Sequence, residues 1–143
     1  MRTIKFRGKR LHKTEWAEGD LLHGVGVKYG RIFILPITAN LPTDCDPYDG
    51  YEVDPDTVCQ FTELKDSNGV EIYEGDIFTV NGKYPKVIEF RQDHSSFCMA
   101  NISDLDKVYL YPWQQIRPDW WEDYSREIVV IGNKFDNPEL MQE

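Results

Sequence analysis

One stretch near the middle of the chain constrains the fold more than any other: Gln60-Phe61-Thr62-Glu63-Leu64-Lys65-Asp66-Ser67-Asn68-Gly69-Val70-Glu71-Ile72-Tyr73-Glu74-Gly75-Asp76-Ile77. It packs two turn signals between short alternating runs. Asp66-Ser67-Asn68-Gly69 offers side-chain oxygens that can stand in for backbone acceptors, and Gly69 is free to take a positive φ. Val70 and Ile72 then fall on one face of an extended run, with Glu71 on the other, as in a half-buried strand. Glu74-Gly75-Asp76 punctuates again before Ile77-Phe78-Thr79-Val80 resumes. We expect Gly75 to sit at positive φ in a turn that sets the register into Ile77. The stretch speaks of architecture and carries no recognisable chemistry.

A chain of 143 residues makes one ordinary domain or two small subdomains. Seven Phe, eight Tyr and four Trp supply large buried areas, so no covalent staple is needed. Cys45, Cys59 and Cys98 are odd in number and lack CxxC spacing, which reads as reduced thiols in a cytoplasmic protein. No apolar run reaches the ~20 residues of a membrane helix, and Met1 to Arg7 has charge without the apolar segment of a secretory signal.

The formal net charge is −9, and its distribution matters more than its sum. Six basic side chains (Arg2, Lys5, Arg7, Lys9, Arg10, Lys13) and no acid occupy residues 1–13. Asp44 to Glu63 holds seven acids and no Lys or Arg. An acidic body repels a phosphate backbone, so nucleic acid is not the expected partner. A strand bearing Lys5, Arg7 and Lys9 on its polar face reads instead as a solvated sheet edge. Laid against Asp44–Glu63 of another copy, it would give a head-to-tail homo-oligomer; pairing within one chain is the alternative.

Along the chain, Thr3–Arg7 alternates as an opening strand, with Ile4 and Phe6 on one face, and Gly8–Glu15 reads as a polar turn. Glu18-Gly19-Asp20 echoes Glu74-Gly75-Asp76, suggesting a turn that feeds a strand used twice. Gly24, Gly26 and Gly30 mark a hairpin, and Arg31–Leu35 a buried strand ended by Pro36. Residues 41–56 read as a long acidic loop, with Asp54-Pro55 starting one helical turn. Asn81-Gly82 is a strong hairpin signal before a strand at Lys86–Phe90. Ser96–Asn101 and Leu105–Tyr111 are further strand candidates, followed by irregular aromatic chain to Tyr124. Glu127–Gly132 is the last strand, and Asn137-Pro138 an N-cap opening a short terminal helix.

Ile4-Lys5-Phe6-Arg7-Gly8-Lys9, Val58–Phe61, Leu64-Lys65-Asp66 with Asn68-Gly69, Glu71–Ile77, and Val130-Ile131-Gly132-Asn133 with Asn137-Pro138-Glu139-Leu140 together resemble the YopX family of phage and prophage proteins. The resemblance runs from Met1 to Leu140. Cys59 stands where the family has a small residue, and Lys134-Phe135-Asp136 replaces a more apolar pair. The resemblance implies a mainly β fold and phage-linked biology, and carries over no catalytic residue.

The chemical constellations point away from catalysis. Asp44-Cys45-Asp46-Pro47-Tyr48-Asp49-Gly50 fails the calcium-loop pattern, because Tyr48 and Pro55 stand where ligands are needed. His12, His23 and His94 share no metal-ligand spacing. Cys98 near His94, Ser95 and Ser96 lacks an oxyanion-hole motif. Trp113, Trp120, Trp121 and Tyr124 could form a base-stacking platform, but Asp119, Glu122 and Asp123 surround them, so a hydrophobic plug or protein contact is the better reading. Glu71, Glu74 and Asp76 are explained by turn chemistry.

The expected fold is mainly β: two small β subdomains sharing a core, with a short C-terminal helix. Residues 1–58 form the N-terminal subdomain and 59–69 a connecting motif. Residues 70–143 form a small SH3-like, partly closed barrel built from Val70–Val80, Lys86–Arg91 and Glu127–Ile131. The expected protein is a non-enzymatic binding or assembly module of the bacterial cytoplasm, homo-oligomeric or bound to a phage or host protein, away from membranes. A nucleic-acid-associated role using the basic arm is the alternative. No catalytic, cofactor-binding or metal-binding residue is assigned.

Overall fold

The structure is a computed structural model and describes residues 2–142. It is mainly β, with eleven strands, all pairings antiparallel, and one short α-helix among the described residues. The chain divides into two compact units, Met1–Phe61 and Thr62–Glu143.

In the first unit, β1 (Phe6–Lys9), β2 (Trp16–His23), β3 (Ile32–Leu35), β4 (Tyr51–Val53) and the start of β5 (Cys59–Lys65) lie in the order β4-β3-β2-β1-β5. Ala17, Ile34 and Val53 are the buried centre, with Phe6, Leu21, Ile32, Tyr51 and Val58 packed around them. Alternation along the strands turns these apolar positions to one face.

Four expectations change here. The first strand starts at Phe6 rather than Thr3 and runs through Gly8 to Lys9, while Ile4 is exposed. Its turn is therefore shorter, closed by Arg10 N–H donating to Glu15 O at 2.9 Å. Nor is β1 an edge: it pairs with β2 on one side (Phe6↔Gly19) and β5 on the other (Arg7↔Cys59). Gly19 lies inside β2, not in a turn. At its φ of +153° a Cβ would stand 2.1 Å from Leu35 O, so this glycine allows close strand approach and does a different job from Gly75. The acidic stretch 41–56 is not one long loop either, since Tyr51-Glu52-Val53 pairs with β3 as β4. The helical turn expected at Asp54-Pro55 is present as a 3₁₀ turn, Pro55–Thr57, with the Asp54 carboxylate accepting from Asp56 N–H.

The second unit contains the rest of β5, then β6 (Glu71–Tyr73), β7 (Asp76–Val80), β8 (Lys83–Arg91), β9 (Ser96–Asn101), β10 (Gln114–Gln115), α1 (Pro118–Trp121) and β11 (Ile128–Asn133). Five strands form a sheet in the order β10-β9-β8-β7-β11. Of the segments grouped as barrel strands in the sequence, β7, β8 and β11 are neighbours in it, whereas β6, the first part of Val70–Val80, lies beside β5 in the other sheet. Consecutive residues Ile77 and Phe78, and Val87 and Ile88, serve opposite faces. Phe78 and Ile88 join Ile72, Met99, Trp121 and Ile128, while Ile77 and Val87 join Ile102 with Leu105, Trp113 and Leu140. A sheet covered on both faces needs apolar residues at successive positions, as these runs have.

Asn81 (φ 54°) and Gly82 (φ 74°) form the β7–β8 hairpin turn that their dipeptide signals. Leu105–Tyr111 is not a strand. A 3₁₀ turn at Ile102–Asp104 leads into reversing chain, held where Lys107 Nζ meets the Asp104 carboxylate at 2.8 Å. The terminal element is a 3₁₀ turn, Pro138–Met141, and Asn137 does not cap it: its side-chain oxygen accepts from Asn133 N–H instead.

Gly75 has φ +83° between β6 and β7. Its N–H donates to Ile88 O at 2.7 Å and its carbonyl accepts from Lys134 N–H at 2.9 Å. A Cβ there would lie 3.3 Å from the Phe135 ring. Replacing Gly75 with Val should cost about 1–3 kcal/mol, since a β-branched residue tolerates this region poorly. Thermal melting checks this, and an unchanged Tm would show that the turn does not require glycine.

Candidate functional site

The residues that look most like a signature turn out to bind backbone. Asp66 is 7% exposed. Its Oδ1 accepts from the N–H groups of Asn68 and Val70, both at 2.9 Å, and its Oδ2 from Val130 N–H at 3.0 Å. Ser67 continues the contact, its N–H donating to Ile128 O and its Oγ accepting from Ile128 N–H, both at 2.8 Å. The Asp76 carboxylate accepts from Tyr73 N–H at 2.8 Å. Asn133 Oδ1 accepts from Phe135 and Asp136 N–H at 3.0 and 2.9 Å. These short polar side chains occupy backbone donors that turns leave open.

The acidic stretch is tied into its own chain. Arg10 contacts Glu15 at 3.0 Å and Asp44 at 3.2 Å, with its guanidinium 4.1 Å from the Tyr51 ring centroid. Tyr51 O–H donates to Asp44 at 2.7 Å; this holds the Asp44 carboxyl below its usual range and pushes the phenol up to about 12. Lys28 pairs with Asp49, and Arg31 with Glu52 at 2.6 Å. Asp46 accepts from Asp49 and Tyr48 N–H, which lowers its pKa. Lys5 lies over Phe61, and Arg7 and Lys9 over Trp16. Intramolecular pairing thus engages charges that the sequence could equally have assigned to a second copy.

Trp120 and Trp121 pack together, their ring centroids 6.2 Å apart, while Trp113 lies in a different cluster. Trp121 is 8% exposed and meets Phe78 edge-on at 5.3 Å, with its indole N–H donating to Lys65 O at 2.9 Å. Trp120 flanks that cluster under the Arg126 guanidinium. Trp113 packs in the other cluster, under Arg91. They form no common platform. The His94 ring meets that of Tyr111 at a tilt, 5.7 Å between centroids, and the Tyr111 hydroxyl donates to Asp93, while the Cys98 sulfur lies 3.8 Å from Ser96 Oγ. His94 and Cys98 are not joined as base and nucleophile in these contacts. Among the described residues, no three His, Cys, Asp or Glu side chains converge as a metal cage would.

Two features of the second unit escaped the sequence reading. One is an open groove of about 450 Å³, lined by Leu64, Trp121 and Ile128 with Glu63, Glu122 and Tyr124 among its other walls. Its walls come from two stretches distant in sequence, residues 63–67 and 118–128, so no local pattern announces it. The other is the turn at Lys107–Leu110, closed by Leu110 N–H donating to Lys107 O at 3.4 Å. Val108 and Tyr109 at its centre are 101% and 83% exposed. Their apolar character reads as strand in the sequence, yet they stand in solvent.

Cys98 is fully buried, and that burial raises its thiol pKa; Cys45 and Cys59 are 7% and 4% exposed. All three should resist Ellman's reagent at pH 8 in the native protein and react fully in denaturant. A thiol that reacts at once in the native state would contradict the packing.

Among solved structures, the chain is similar to the protein EF1440 from Enterococcus faecalis, with 24% identity and a TM-score of 0.55. The match covers 98% of this chain and 99% of that one, and shows a shared fold. Comparison with curated proteins gives no match. The family model described as YopX protein matches residues 5–142, and the chain belongs to that family.

Proposed function

We propose that this protein works by binding other proteins, its own copies included, and not by catalysis. The observation that carries the reading is the exposed apolar run Val108-Tyr109-Leu110-Tyr111. The centre of a surface turn normally holds Gly, Asn, Asp or Pro, and consecutive exposed apolar residues are retained where they have a use. Tyr111 anchors the run through Asp93 and His94, so the tip is presented from a fixed base. A second tip of the same kind occurs in the first unit, where Val25, Val27 and Tyr29 are 79%, 98% and 86% exposed around a 3₁₀ turn.

Charge favours a protein partner over nucleic acid. Residues 1–61 hold eight basic and nine acidic side chains, and residues 62–143 eight and sixteen. The basic arm is engaged with Trp16, Phe61, Glu15 and Asp44. Three buried free thiols suit a reducing compartment, in line with a phage-type protein acting in the bacterial cytoplasm. No helix among the described residues is long and apolar enough to cross a membrane.

The test is Val108→Ser with Tyr109→Ser, which should leave Tm nearly unchanged because both side chains are exposed. Light scattering after gel filtration should show wild-type assembly that persists at 1 M salt, as apolar contact does, and a monomeric variant. A wild-type monomer at every salt would remove self-assembly. If tagged wild-type and variant protein then also recover the same proteins from phage-infected lysate, the reading falls.

A further inference from the structure

We propose that Lys86, in the second unit, is an acylation site whose amine takes an acyl group from a small activated donor, an acyl phosphate or an acyl thioester. The inference goes beyond protein binding and does not rest on it.

Lys86 lies on β8 and pairs across the sheet with Asn101, the last residue of β9, so the two side chains share one face. Its Nζ donates to the Asn101 side-chain oxygen at 2.6 Å. The Asp104 carboxylate comes next in the same cluster, where it accepts from Lys107 Nζ at 2.8 Å and from Asn101 Nδ2 at 3.5 Å. The immediate partner of the Lys86 amine is therefore a neutral amide. The side chain is half-buried, and the loss of water lowers its pKa, with Asp104 opposing the shift.

This setting differs from that of the other lysines. Lys28, Lys107 and Lys134 meet the carboxylates of Asp49, Asp104 and Glu89, and Lys5 and Lys9 lie over the rings of Phe61 and Trp16. Carboxylates and aromatic faces attract a cation. Lys13, Lys65 and Lys83 are exposed. An amide oxygen asks only for an N–H, which the ammonium, the free amine and an N-acyl lysine all offer. The contact with Asn101 therefore suits the amine before, during and after acyl transfer.

In the reaction, the lone pair of the neutral amine attacks the acyl carbon and a C–N bond forms. The bond from that carbon to phosphate oxygen or thiol sulfur breaks, the leaving group takes the electron pair, and the surplus proton passes to water. The product no longer carries the Lys86 charge near Asp104. Lys107, at the start of the exposed Val108–Tyr109 turn, is then the cation that Asp104 contacts.

The purified protein is incubated with acetyl phosphate in one arm and acetyl-coenzyme A in the other, and acetylation of each lysine is followed over time by peptide mass spectrometry. Near pH 7, Lys86 should react several-fold faster than the exposed Lys83, with the lead shrinking as rising pH makes every amine neutral. A lead in one arm alone supports the site and identifies its donor. Asn101→Asp, which puts a carboxylate against the ammonium, should slow Lys86 several-fold and leave the Lys83 rate unchanged. Lys86 reacting no faster than Lys83 with either donor would overturn the proposal. So would a lead that does not change with pH, since it would reflect access alone, or a folded Asn101→Asp protein that keeps the wild-type Lys86 rate. If that variant does not fold, the wild-type pH series decides.

Discussion

The buried carboxylate of Asp66 organises the second unit. One side chain receives three backbone N–H groups, two from its own turn and one from Val130 on the final strand. Hydrogen bonds to a charged acceptor contribute about 1.5–3 kcal/mol each, more than most single contacts. The geometry also solves a problem of sheet construction. β11 lies at the end of the order β10-β9-β8-β7-β11, where unpaired backbone would invite another chain. Asp66 and Ser67 fill that edge at Val130 and Ile128, so a turn in mid-sequence closes the strand that the chain makes last.

The same logic accounts for the rest of the family-like segments. Gly75 lets the chain turn where Ile88 and Lys134 both need its backbone, Asp76 holds the Tyr73 N–H, and Asn133 closes the turn after β11. The residues through which the chain resembles its family are largely those that build the fold. This explains why they are easy to recognise and uninformative about chemistry. The exposed features lie elsewhere, on a turn tip and in a groove whose walls are distant in sequence.

Elements that announce themselves by local pattern were legible. Val87-Ile88 and Ile128-Val129-Val130 read as strands because both faces of their sheet are covered, and Asn81-Gly82 because its dihedrals need those residues. What failed was set by remote partners. Tyr51-Glu52-Val53 is only three residues long and becomes a strand through β3. The charged face of β1 looks like an edge, yet its second neighbour, β5, lies some fifty residues away in sequence. Leu105–Tyr111 reads as strand because apolar residues are usually buried, yet Val108 and Tyr109 stand in solvent. The groove was invisible for the same reason as β4: its parts meet only after folding.

Amide hydrogen exchange with and without the Asp66 carboxylate tests this account most directly. In the wild type, the Asn68, Val70 and Val130 amides should exchange together and slowly, as one cooperative unit. In Asp66→Ala, these three amides should lose protection first and most, while the β8–β9 amides of Val87 and Ala100 remain the slowest. Unchanged protection at Val130 in that variant would contradict the central role given to this carboxylate.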